Sequence, residues 1–139
     1  MPASQLISLL EKHADALTTG ALEQVIMHPR TPSFRAVPRA ELSARIQALH
    51  RTLAEWLGKQ DDDVVRAAFE DWGRKRFAQQ VPVSELVYAV IVAKDQLRRY
   101  GREHGIEPAE LDGLVAAFFD RALYYVVRGY EMQAAAPPR

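Results

Sequence analysis

Apolar residues recur along this chain at intervals of three and four, and no run alternates as a half-buried strand would. That spacing predicts an all-α protein of about five helices in a mostly antiparallel bundle. The first helix opens near Ser4 and carries the stripe Leu6, Leu10, His13, Leu17, Ala21 and Val25. Its phase survives Thr18-Thr19-Gly20, so one long helix is expected, with room for a kink at Gly20 and an end at His28-Pro29. Pro29, Pro32 and Pro38 forbid a helix across the next connection. Phe34 and Val37 are its only large apolar residues and are placed to pin it to the bundle.

The second helix sets Leu42, Ile46, Leu49, Leu53, Trp56 and Leu57 on one stripe, pairs Glu41 with Arg45 at i,i+4, and closes at Gly58. Asp61, Asp62 and Asp63 open the third, where carboxylates suit the positive end of the helix dipole. Its core face is Val65, Phe69, Trp72 and Phe77, with Glu70–Arg74 and Asp71–Lys75 as outward pairs. Gly73 inside it costs about 1 kcal/mol relative to Ala, which points to a close helix crossing. Ser84 is the expected N-cap of the fourth helix, with Val83 and Tyr88 as a hydrophobic staple. From Leu86 to Ala93 that helix is apolar all round and should be central.

The fifth helix starts at Pro108 and has two apolar faces. One is Leu111, Leu114, Val115, Phe118, Ala122 and Tyr125; the other is Phe119, Leu123, Val126, Val127 and Tyr130. Together they span roughly 200°, about twice what a surface helix needs. Either the other helices wrap around it, or the second face forms a twofold interface. With the fourth helix taking the centre, the surplus points to a homodimer through Phe119, Leu123, Val126, Val127 and Tyr130. Residues 1–133 make one domain, and 134–139 a flexible tail.

Composition narrows the partners. Lys+Arg and Asp+Glu both number 18, so no bulk field draws nucleic acid. The longest apolar run is far short of the ~20 residues a membrane-spanning helix needs. The amphipathic start does not resemble a signal peptide, and a cytoplasmic location is expected. There is no cysteine to form a disulfide or thiolate site. The basic runs Arg74-Lys75-Arg76 and Lys94, Arg98, Arg99, Arg102 read as solvated faces.

Candidate chemistry comes down to histidines. His13 lies on an apolar stripe between Leu10 and Leu17 and reads as a half-buried core residue. His50 sits on the edge of the second helix, which invites a histidine phosphotransfer reading. Phosphotransfer domains follow that histidine with a lysine-glycine-small pattern, whereas Arg51, Thr52, Leu53 and Ala54 follow here, so a solvated histidine is favoured. One histidine can hold haem, which makes His13 and His50 the candidate cofactor ligands of a haem or small-ligand sensor. No cofactor or metal is expected, because no histidine is paired at metal-ligand spacing. No catalytic residue is assigned, since no two candidate groups are spaced to cooperate.

The stretch Phe69-Glu70-Asp71-Trp72-Gly73-Arg74-Lys75-Arg76-Phe77-Ala78-Gln79-Gln80-Val81-Pro82-Val83-Ser84-Glu85-Leu86 resembles the N-terminal domain of the RsbT co-antagonist (RsbRD-type) proteins. Gly73, Arg76, Gln79 and the Val81-Pro82-Val83 turn carry the likeness, and Thr31-Pro32-Ser33-Phe34 and Trp56-Leu57 fit the same pattern. The resemblance implies a helical, globin-like or bundle sensory module of bacterial stress or histidine-kinase signalling. Such a module is often dimeric, has no bound cofactor, and passes a signal to an output domain. Relatives continue into a STAS or kinase domain, so the output partner here is expected to be a separate protein or an excised domain.

Overall fold

The long first helix of the sequence reading is interrupted at His13. In the computed structural model, which describes residues 2–137, α1 spans Pro2–Lys12 and α2 spans Ala14–Met27. His13 leaves the helical region (φ −118°, ψ 22°), yet its N–H still donates to the Leu9 carbonyl at 2.9 Å and its carbonyl accepts from Leu17 N–H at 2.9 Å. The break is therefore a one-residue kink. Gly20 lies inside unbroken helix, facing Gln96.

The proline-rich connection forms a single 3-10 turn, Pro32–Ala36, with Phe34 and Val37 buried as anchors. Next come α3 (Arg39–Lys59), α4 (Asp62–Ala78), α5 (Val83–Glu103) and α6 (Pro108–Ala135). Among the described residues this makes six α-helices, because the kink divides the first of the expected five. Helix α3 runs past Gly58 to Lys59, and Gln60 takes the left-handed conformation (φ 53°) that stops it. Asp61 caps α4 by accepting from Asp63 N–H at 3.0 Å. Helix α5 starts at Val83 behind Pro82, so Ser84 lies in its first turn rather than at the cap. The expected staple does not form: Val83 is exposed, and Tyr88 instead packs against the His28 ring at 4.7 Å. Helix α6 is capped by the Glu107 carboxylate, which accepts from the amides of Ala109 and Glu110. It continues two residues beyond the expected domain end, and 138–139 of the expected tail lie outside the described residues.

Contacts fix the helix directions. Arg45–Asp71 and Glu41–Arg76 set α3 antiparallel to α4, and Arg98–Asp112 sets α5 antiparallel to α6. Gly20 meets Gln96 and His13 meets Tyr100, so α2 also runs against α5. Helices α4 and α6 run in the same sense, with Arg121–Asp62 at one end and Phe77–Tyr130 at the other.

The tightest crossing is between α4 and α6. A Cβ on Gly73 would overlap the Val126 carbonyl oxygen and come within 2.7 Å of the Tyr130 amide nitrogen. A Cβ on Gly129 would overlap the Glu70 backbone. Two glycines thus let the backbones touch, which draws Phe69, Phe118, Phe119 and Val126 out of water. The expected role of Gly73 is met, and Gly129 is its counterpart on α6. No helix of the described residues is long and apolar enough to cross a membrane.

Candidate functional site

The kink at His13 and the α3 stripe together make a recess. Leu10 and Glu11 of α1, Ala14 and Thr18 of α2, and Gln47, His50, Arg51 and Ala54 of α3 line a cavity of about 260 Å³. Its wall is mainly apolar, with Glu11 and Arg51 exposed at its mouth.

His50 is the main correction in this region. A solvated ring was expected, but only 6% of the residue is exposed, because α1 and α2 close over that edge of α3. Burial pulls the imidazole from its ordinary 6.5 down to about 4, so it is neutral near pH 7. Its Nδ1 has no hydrogen-bond partner among the described residues, and neither has Oγ1 of Thr18, a residue 3% exposed. The Nδ1 atom is thereby withdrawn from a phosphotransfer partner. For scale, an engineered internal cavity of about 150 Å³ holds one benzene, and this recess of about 260 Å³ is open to solvent on one side.

His13, the other histidine candidate, is half-buried as expected and belongs to an aromatic stack. Its Nδ1 lies 3.1 Å from the Tyr100 hydroxyl, and its ring packs on His104 at 4.8 Å. These contacts hold the kink against the end of α5. His13 and His50 line different cavities, so the structure does not bring them together.

Arg76 was read as part of a solvated basic run, yet it is fully buried. Its guanidinium donates to Oε1 of Glu41 at 3.2 Å and to the Gln79 side chain, while Gln79 Nε2 donates to the same Glu41 oxygen at 2.9 Å. Burial pushes the Arg76 pKa down and Glu41 pushes it back up. The remaining Nε and Nη2 atoms are buried without a partner among the described residues. This triad takes Glu41 away from its expected i,i+4 partner, and Arg45 pairs with Asp71 instead at 3.4 Å. Asp71–Lys75 forms as expected at 3.1 Å, but Glu70 pairs with Arg66 rather than Arg74. The second basic run is also partly neutralised, since Asp112 accepts from both Arg98 and Arg102 and its carboxyl is held below the usual range by them. The four motif residues are thus architectural: Gly73 makes the helix crossing, Arg76 and Gln79 tie α4 to α3, and Pro82 starts α5.

The expected dimer face must be redrawn. Phe119 and Val126 have no exposed surface, because α4 covers them through the glycine crossing. Leu123, Val127 and Tyr130 are half-buried, and the Tyr130 hydroxyl donates to the Val81 carbonyl at 2.8 Å. The most exposed apolar surface on α6 is Tyr124 at 61%, a residue the sequence reading did not single out.

Among the described residues, no group of three His, Asp or Glu side chains converges as a metal site would. A family model described as the RsbT co-antagonist protein rsbRD N-terminal domain matches residues 11–137. No curated protein and no solved structure matches the chain.

Proposed function

We propose that this chain, which belongs to the RsbT co-antagonist protein rsbRD N-terminal domain family, is a regulatory module of bacterial stress signalling that works through protein contacts. The carrying observation is the family match, which spans nearly the whole chain. In this reading the module catalyses no step of its own. It acts in the cytoplasm as a homodimer and hands a change in packing to an output domain, attached or separate.

The supporting surface is the outward strip of α6. Tyr124 is largely exposed, and Leu123 and Val127 are partly exposed beside it. An isologous contact along one helix would bury this strip against its own copy. Light scattering on the full chain should give twice the chain mass, and Val127→Glu should return it to one. A strict monomer at high concentration removes the dimer from the reading. Deleting the gene and reading a stress-regulon reporter in the native cell tests the regulatory role itself, and a reporter that does not respond removes it.

A further inference from the structure

We propose that the recess between α1, α2 and α3 binds a small uncharged molecule, a single apolar ring or short branched chain carrying one hydroxyl, held by Thr18 and His50.

The argument starts from what these two residues lack. A threonine inside a helix usually donates to the carbonyl four residues back, as Thr52 does to Ala48 at 2.8 Å. The other buried threonine, Thr31, donates to the Val25 carbonyl at 2.6 Å. The Thr18 hydroxyl, also buried, has no hydrogen-bond partner among the described residues. The histidines divide in the same way. Nδ1 of His13 meets the Tyr100 hydroxyl, Nδ1 of His28 accepts from Arg30 N–H, and Nδ1 of His104 meets the Tyr100 carbonyl. Only His50, the most buried of the four, leaves this atom unpaired. A buried polar group without a partner costs about 1–3 kcal/mol. Thr18 and His50 line one cavity, but Thr18 Oγ1 and His50 Nδ1 have almost no accessible surface, so a ligand reaches these two atoms only as the recess opens.

The walls then select the ligand. Leu10, Ala14 and Ala54 supply apolar surface, and the volume of about 260 Å³ admits one ring with a short substituent. A charged ligand is disfavoured, because it would lose its hydration against an apolar wall and meet a neutral imidazole. A hydroxyl suits both groups, since it donates and accepts and so matches either tautomer of His50 and either rotor of Thr18. The recess also has a means of opening. Its wall spans the kink, with Leu10 and Glu11 before His13 and Ala14 and Thr18 after it, so α1 can shift without unfolding α2.

This inference supplies an input to the regulatory reading above and is tested without any output partner, so either can fail alone. The full chain is titrated with phenol while the NMR signals of the Thr18 methyl and the His50 ring are followed. Saturable shifts at both are expected, with toluene binding at least about tenfold more weakly because it lacks the hydroxyl. Thr18→Val, which keeps the shape, should weaken phenol by about tenfold, and Thr18→Ser should restore it. His50→Leu should act like Thr18→Val; if it does not fold, the two Thr18 variants decide. No saturation up to the solubility of phenol overturns the proposal, as does equal binding by toluene or by Thr18→Val.

Discussion

At the level of single residues, His50 and Arg76 show what a stripe of side chains conveys and what it omits. The second-helix stripe correctly placed Leu49 and Leu53 in the core, but it left His50 at the edge, where burial depends on whether another helix lies over it. Helices α1 and α2 do lie over it, and nothing in the local sequence of α3 announces that. The consequence is measurable. The folded state holds the imidazole near 4 while the unfolded chain titrates near 6.5, so the unfolded state binds the extra proton first as pH falls. The stability contributed is fully present above pH 6.5 and is lost as pH drops toward 4. Between pH 7 and pH 5 the loss should be about 2 kcal/mol, with the carboxylates still largely ionised. His50→Leu should flatten that slope in urea unfolding followed at the two pH values. An unchanged slope would mean the ring is not buried. Arg76 teaches the same lesson with opposite chemistry. A basic run offset by Glu70 and Asp71 just before it looked solvated, because the partners that make burial tolerable, Glu41 and Gln79, are separated from it by a helix and by one turn.

Among the elements, the helices themselves were legible because their apolar period is strong, and so was the meaning of Gly73. A glycine in the middle of an apolar helix signals that another backbone passes close by. The sequence does not say which backbone. Gly129, set between Arg128 and Tyr130, carries the same signal on α6, and the two together pick out the α4–α6 pair. Because each missing Cβ would meet backbone, relief requires the helices to part. Gly73→Ala and Gly129→Ala should therefore each destabilise the fold by about 3 kcal/mol, at the upper end for overpacking and despite the gain in helix propensity. Gly58→Ala and Gly113→Ala, whose Cβ would meet nothing, should be neutral or slightly stabilising. Thermal melts of the four variants make the comparison. Comparable losses at all four would deny that the crossing is tight.

For the whole molecule, the question is which helix covers which, and local periodicity does not contain the answer. The surplus apolar face of α6 suggested a second chain, yet α4 of the same chain takes most of it by lying parallel at backbone distance. The kink was missed for a similar reason: α1 and α2 share one stripe, and only the placement of His13 against Tyr100 and His104 shows where the helix gives way. That arrangement predicts an order of opening. Helix α1 is anchored to α3 and α6 by Leu6, Leu9 and Leu10, and it joins the bundle through a residue outside the helical region. Helices α4 and α6 are interlocked along their length by fully buried Phe69, Phe118 and Phe119. Amides of α1 should thus exchange with deuterium by local opening, at lower free energy than those of α4 and α6, which should need near-global unfolding. Tyr100→Phe removes the hydroxyl that meets His13 Nδ1 and should speed exchange across α1 several-fold while leaving α6 unchanged. If instead α1 and α6 exchange together in both proteins, the kink is not a hinge, and the wall of the recess that spans it cannot move independently of the bundle.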